Sequence, residues 1–311
     1  MSKIIIHDNA AFKFSGMIAD HWKSKGHEVL MEMGANPLVG ATCDLVYIDF
    51  MDNNFYCYFN GLNGDRSNPP FPKKRIAVRA IDIDVWQGRH CDPQIYDYLD
   101  DLIVINKFYY EKVKKESQTD GSKIRLIYPG VDLEKFKFRK KERGYNIAVV
   151  TDNLWEAKAG FEAIRIFQEV NRVYPDKPWE LHIRGQHILP EWHKYAYDQL
   201  IENTGLKNKI FIHGKQPDMN SWYQNKDYIL ITSHKEAFSY GAAEGMAVGL
   251  KPILNNWFGS EWDEKYRFND LHTAATMIGE GDYNPEEYRQ YIQDHYDLKR
   301  MLNEYDKLFG T

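Results

Sequence analysis

The feature that most restricts the fold of this chain is an alternation of short apolar runs with helix-spaced segments, which occurs twice along its length. In the first half, residues 4–7, 27–31, 44–50, 75–83, 101–106 and 123–128 read as strands. Between the first two, Phe14, Met17, Ile18 and Trp22 recur at helical spacing until Gly26 stops the segment, and a second helix is predicted over 107–116. Strands separated by helices pair through crossovers, which build a parallel sheet with helices on its faces. A second alternation follows, with strands at 146–151, 179–184, 209–213, 228–232 and 251–255 and helices at 160–173, 191–203 and from near 241. A long helical stretch over 285–308 closes the chain. The 311 residues amount to about two ordinary domains, so the α/β pattern predicts two doubly wound domains. Pro129-Gly130 and the charge-rich segment 135–143 mark the join, giving domains at 1–138 and 139–284 and a terminal segment at 285–311. Residues 53–74, with Asn60-Gly61, Asn63-Gly64-Asp65 and Pro69-Pro70-Phe71-Pro72, break the rhythm and read as a long surface loop of the kind that carries specificity.

Charge narrows the class of partner. The net charge of −5 argues against stable nucleic-acid binding or broad attachment to an anionic membrane, both of which favour an excess of Lys and Arg. The basic clusters at 112–115 and 139–143 read as solvated faces. Cys43, Cys57 and Cys91 are odd in number and form no CxxC pair, so neither a disulfide framework nor a zinc knuckle is expected, and a reduced, cytoplasmic setting fits. The chain runs from Met1 into an apolar strand with no signal-peptide pattern, and no segment approaches the ~20 apolar residues of a transmembrane helix. His182, His187 and His193 lack metal-ligand spacing, and no HExxH or Ser-His-Asp set is evident.

In open parallel sheets, ligands bind beyond the carboxyl ends of the strands, where helix N-termini present unpaired N–H groups to an anion. Residues 228–252 run from a buried strand through a polar loop into a helix rich in small residues, placing Glu236 on the loop and Glu244 in the first turns of the helix. Gly241, Ala242, Ala243, Gly245 and Ala247 let that helix approach the sheet closely, bringing the N–H groups near Phe238, Ser239 and Tyr240 toward a diphosphate. Glu244 suits a pair of ribose hydroxyls and Glu236 the hydroxyls of a sugar. Taken alone, two glutamates at this spacing are ordinary solvent-facing residues. Trp257, Phe258 and Trp262 follow a strand end and offer stacking surfaces for sugar or base.

Context decides the matter, because the sequence resembles the retaining glycosyltransferases of family 4. Glu236 and Glu244 match the E-x7-E motif of that family within Ser233-His-Lys-Glu236-Ala-Phe238 and Glu244-Gly-Met-Ala-Val-Gly249. Four other stretches agree in order: Ile127-Tyr-Pro-Gly130-Val-Asp132 with Phe136, Lys158 with Gly160, Leu181-His-Ile-Arg-Gly185, and Phe211-Ile-His-Gly214 with Trp222-Tyr223. Together they span about residues 120–255, with a similar closing helix. The resemblance implies the GT-B fold, two facing Rossmann-like doubly wound domains with a cleft between them, and a terminal helix packing back toward the N-terminal domain. It implies a nucleotide-sugar co-substrate (a UDP- or GDP-sugar), retention of anomeric configuration, and no obligatory metal or other cofactor. Lys158 corresponds to the lysine that contacts the donor phosphates. Asn153 stands where relatives carry an arginine, and Arg184 is the candidate substitute for that contact.

The N-terminal half resembles the family weakly. Gly16 is the one remnant of the usual glycine-rich loop. Asp82-Ile83-Asp84 forms a D-x-D, elsewhere a metal and nucleotide motif, and in a two-domain fold Asp82 or Asp84 would face the cleft from a strand end where relatives place a sugar-contacting His. The expected catalytic set is thus Glu236, Lys158 and Asp82. The expected donor contacts are Glu244, Lys158, Glu236, Phe238, Ser239, Tyr240, Asn153, Arg184 and Gly16. The acceptor is a saccharide, lipid, small molecule or modified nucleic acid. Two other readings share these features: a sugar-nucleotide epimerase of the same architecture, and a noncatalytic carbohydrate-binding protein with a degenerate donor pocket.

Overall fold

A computed structural model of the chain describes residues 1–59, 75–153, 158, 160–186 and 191–309. The chain divides into two compact units, Met1–Pro129 with Lys299–Thr311 and Gly130–Leu298.

Unit 1 contains β1 (Lys3–Asp8), α1 (Gly16–Ser24), β2 (Glu28–Glu32), α2 (Pro37–Gly40), β3 (Leu45–Asp49), α3 (Asn53–Phe59), β4 (Arg75–Ala80), α4 (Asp82–Trp86), α5 (Ile95–Tyr98), β5 (Asp101–Val104), α6 (Lys107–Glu116) and β6 (Ile124–Leu126). Its six strands pair in parallel in the order β2-β1-β3-β4-β5-β6. A parallel sheet covered on both faces needs nearly continuous apolar strands. β3 meets this demand with the run Leu45-Val-Tyr-Ile-Asp49, buried at every position. The order turns between β1 and β3, which makes their carboxyl ends a topological switch point. The terminal segment returns to this unit: Tyr305 packs edge-on to Trp22 and Tyr47, with ring centroids 6.4 and 5.8 Å apart, and its hydroxyl lies 3.2 Å from that of Tyr47.

Unit 2 contains β7 (Asn146–Asn153), α7 (Gly160–Val173), β8 (Glu180–Gln186), α8 (Glu191–Thr204), β9 (Ile210–Ile212), α9 (Met219–Tyr223), β10 (Tyr228–Ile231), α10 (Tyr240–Ala247), β11 (Lys251–Asn255), β12 (Arg267–Phe268), α11 (Leu271–Gly279) and α12 (Pro285–Tyr296). Its sheet is again all parallel, in the order β12-β11-β10-β7-β8-β9, with the switch point between β7 and β10. α7 buries Ala163, Ile164, Ile166, Phe167 and Val170 against the sheet, the spacing of one helical face. Each large side chain buried there contributes ~1.5–3 kcal/mol. The helix stops at Val173 because Tyr174 precedes Pro175, which disfavours helical backbone at the residue before it. α10 lies close on the sheet for the reason its sequence suggests: a Cβ on Gly245 would come within 2.8 Å of Ile229 Cβ.

Several elements differ from the sequence reading. Residues 53–59, expected in a loop, form α3, and the rest of that stretch, 60–74, lies outside the described residues. The expected helix over 285–308 is two helices, α12 and α13 (Leu298–Phe309), and the compact units part between Leu298 and Lys299 rather than at 284/285. Asp297 is extended between them because Val131 intervenes: Val131 N donates to Tyr296 O (2.8 Å), and Leu298 N donates to Val131 O (3.0 Å). The neighbouring Gly130 permits this approach, since a Cβ there would lie 2.6 Å from Leu298 Cα. The first join of the units, at Pro129/Gly130, falls ahead of the expected 138/139. Arg289 holds the intervening segment by donating to Phe136 O, Leu133 O and Ala247 O at 2.7–3.0 Å.

Candidate functional site

The site is assembled at the switch point of unit 2, from the carboxyl ends of β7, β10 and β11. β10 delivers Thr232 and Ser233, both buried, into the loop that leads to α10. Thr232 Oγ1 donates to Lys158 O (3.0 Å), tying the approach to α7 to the end of β10. The Lys158 ammonium then reaches Glu236 Oε1 at 2.5 Å, with 26% and 15% of the two side chains exposed. Asn255, at the end of β11, holds the same loop through Nδ2 to Ser233 O (3.1 Å) and Thr232 O (3.4 Å). The loop is therefore braced from both sides, which fixes the Glu236 carboxylate where a ligand can compete for Lys158.

Ser239 precedes α10 in the left-handed region at φ 74°, a conformation rare for a side chain with Cβ. Aromatic packing maintains the turn. The Phe238 ring stacks on Trp262 at 5.7 Å and meets Tyr240 and Tyr296 edge-on at 5.1 and 4.9 Å, while Trp262 Nε1 donates to Phe238 O (3.2 Å). The side chains of Phe238 and Trp262 thus serve as anchors beneath the loop, and the expected stacking role of Trp262 gives way to packing: it is 3% exposed. Phe258, 68% exposed, keeps an open face.

Glu244 follows within α10 and accepts from Tyr223 Oη (3.3 Å). Tyr223 is fully buried in α9; burial first, and then the neighbouring Glu244 carboxylate, holds its phenol protonated well above its ordinary pKa, while Arg184 pulls the other way. Tyr223 is consequently a fixed donor that orients Glu244. Arg184 donates through Nη1 to Thr151 O (3.2 Å), which keeps it against β7. Asn153 ends β7, where its backbone pairs with Gln186 after an irregularity that follows Val150; its side chain lies outside the described residues, as does His187.

The sequence-expected residues of unit 1 are described within that unit. β4 ends at Ala80, so Asp82 and Asp84 sit in the first turn of α4 and not on the strand predicted over 75–83. Asp84 is consumed there: its carboxylate accepts from Ile81 N (3.0 Å) and from Arg89 Nη1 (2.8 Å), and burial raises its pKa. Asp82 is half-buried beside it. Gly16 opens α1 with no atom nearer than 3.9 Å to a hypothetical Cβ, so space does not demand glycine. The switch point of unit 1 is instead filled by three residues that the sequence reading passed over. Asp8, Asp49 and Arg79 share one row across β1, β3 and β4, and Arg79 donates to both Asp49 oxygens at 2.5 and 2.7 Å. Asp8 accepts from Ser15 Oγ (2.5 Å). All three are buried, and burial with the nearby Asp8 pushes the pKa of Asp49 up to about 7 despite the guanidinium.

Two all-parallel Rossmann-like units, one with a charged, partly open switch point beside a helix N-terminus, define the fold class of the GT-B glycosyltransferases. Residues 132–262 match the family described as Glycosyl transferases group 1. A D-inositol 3-phosphate glycosyltransferase from Paenarthrobacter aurescens (strain TC1) is 24% identical over 205 residues, 62% of this chain and 48% of that protein, so the chain spans about half the length of this curated relative. Among solved structures, Anabaena HepE in complex with UDP-glucose superposes with a TM-score of 0.77 at 12% identity, covering 100% of both chains. A sucrose-phosphate synthase from Thermosynechococcus elongatus gives 0.74 at 13%, covering 99% of this chain and 98% of that one. These structural likenesses establish the fold. Among the described residues no helix is long and apolar enough to cross a membrane.

Proposed function

We propose that the chain transfers a sugar, with retention of configuration, from a UDP- or GDP-sugar to an acceptor hydroxyl in the cytoplasm. The observation that carries this reading is the convergence of Lys158 and Glu236, 2.5 Å apart, at the β7/β10 switch point, beside the N-terminus of α10. Diphosphate oxygens compete with Glu236 for the ammonium and face the α10 N–H groups near Phe238, Ser239 and Tyr240. Glu244, aimed by Tyr223, accepts the ribose hydroxyls. The carboxylate of Glu236, once released from Lys158, accepts hydroxyls of the transferred sugar. Arg184 adds positive charge on the β7 side, where Asn153 replaces the arginine of relatives.

As the bond from the anomeric carbon to the phosphate oxygen breaks, negative charge grows on the diphosphate, and Lys158 with the helix end stabilises it. The acceptor oxygen bonds to the anomeric carbon on the face the phosphate leaves, and its proton passes to the departing phosphate oxygen. Atoms and charge balance without a protein base or a metal in this scheme. On unit 1, Asp82 is assigned a catalytic part and Gly16 a donor contact. The complexes of HepE with UDP and UDP-glucose support the choice of donor class.

The test is incubation with a panel of sugar nucleotides and acceptors, with nucleotide release followed continuously and the product anomer read by NMR. A product with the anomeric configuration of the donor is expected. An inverted product, or conversion of the donor to its epimer without acceptor, overturns the proposal.

A further inference from the structure

Unit 1 carries a second cluster of reactive side chains, distinct from the residues assigned above. The loop after α4 turns at Gly88, whose φ of 66° suits glycine, and Cys91 N donates back to Gly88 O (3.0 Å). That turn presents His90 and Cys91 side by side toward the last residue of α6. His90 Nε2 lies 2.9 Å from Glu116 Oε2 and 3.5 Å from Cys91 Sγ, and the nitrogen, sulfur and carboxylate donors of the three residues all fall within 4.8 Å of one another.

We propose that His90, Cys91 and Glu116 bind a divalent cation of the zinc class. The donor set is the ground for the choice: imidazole and thiolate suit borderline metals such as Zn²⁺ and Co²⁺, while Mg²⁺ and Ca²⁺ favour oxygen ligands. The site is also preorganised. The His90 side chain is fully buried, and its backbone carbonyl accepts from Tyr96 Oη (3.2 Å). Glu116 divides its two oxygens: Oε2 faces His90, while Oε1 accepts from Lys112 Nζ (2.5 Å), whose ammonium rests over the Trp86 ring at 5.1 Å. Lys112 thereby plays the part of an outer partner that orients a ligating carboxylate. Three protein ligands leave a fourth position for water, so the site differs from closed four-ligand structural zinc sites. On binding, the thiol proton of Cys91 goes to solvent, and the neutral His90 ring ligates through Nε2. The sequence gives little sign of the site because Glu116 reaches it only through the packing of α6.

The experiment titrates the metal-free full chain with Co²⁺ and follows the near-ultraviolet thiolate-to-cobalt band, then measures Zn²⁺ affinity against a chromophoric chelator. One equivalent should produce the band. Cys91→Ser, a one-atom change, should abolish it and weaken Zn²⁺ at least about tenfold, Glu116→Gln should weaken Zn²⁺ about tenfold, and Cys57→Ser should keep the band. Co²⁺ uptake without the band, a band that survives in Cys91→Ser, or equal Zn²⁺ affinity in the wild type and Cys91→Ser overturns the proposal. A far-ultraviolet dichroism spectrum of each variant separates loss of a ligand from loss of the fold.

Discussion

The two sheets turn their strand order at the same topological place and treat it differently. In unit 1 the carboxyl ends of β1, β3 and β4 are filled by Asp8, Asp49 and Arg79, each at most 4% exposed and bonded within the cluster or to the adjoining loop. In unit 2 the ends of β7 and β10 meet at Lys158 and Glu236, which pair with each other and retain exposed surface. A buried charge cluster is committed to the fold, because removing one member strands the others in a low-dielectric interior. A partly exposed pair costs little to open and can exchange one partner for a ligand. Exposure thus separates charge committed to the fold from charge open to a ligand better than residue type does.

Arg79→Met attacks the first half of the comparison and should produce the largest effect, a loss of ~3–5 kcal/mol in urea unfolding, because the buried Asp49 carboxylate loses its guanidinium. A loss below ~1 kcal/mol would show that the cluster is not committed to the fold. Lys158→Met attacks the second half. It should lower turnover ~10²–10³-fold while changing stability by less than ~0.5 kcal/mol. Gly245→Ala forces α10 off Ile229 and should cost ~1–3 kcal/mol in the same unfolding measurement, with a raised donor KM as Glu244 shifts. Tyr223→Phe removes the hydroxyl that aims Glu244 and should weaken donor binding by ~1 kcal/mol, about fivefold.

A further effect concerns pH. The pKa of Asp49 is raised to about 7 in the fold, so between its unfolded value and about 7 the native state binds more protons than the unfolded chain. The stabilisation linked to that retained proton is complete below the unfolded carboxylate pKa and is lost as pH rises through about 7. The stability of the wild type relative to Asp49→Asn should therefore fall over that window. A difference that is flat with pH would contradict this.

Much of unit 2 was legible in sequence because its signals are local. The apolar run of β10 is buried throughout, and the small residues of α10 meet Ile229 and Val150 as close packing requires. Long-range geometry was not legible. Tyr296, Leu298 and Leu302 continue an apparently helical pattern, and only the insertion of Val131 from a distant segment breaks it. Ile81 and Ile83 extended the apparent strand of β4, while the bond from Asp84 back to Ile81 N begins a helix. Trp222-Tyr223 was visible as a motif, yet the link from Tyr223 to Glu244 exists only once α9 packs beneath α10. Asp8, Asp49 and Arg79 carry no spacing signal, since parallel strands far apart in sequence bring them into one row.

The central claim is that the open switch point of unit 2 is a nucleotide-sugar site, and calorimetric titration of UDP- and GDP-sugars into the wild type and Glu244→Ala tests it most directly. The account predicts saturable binding of one of these donors to the wild type and a loss of at least about tenfold in the variant, on the scale of two hydrogen bonds to a charged group. Binding of equal strength to both proteins, or no binding of any donor to the wild type, would contradict it.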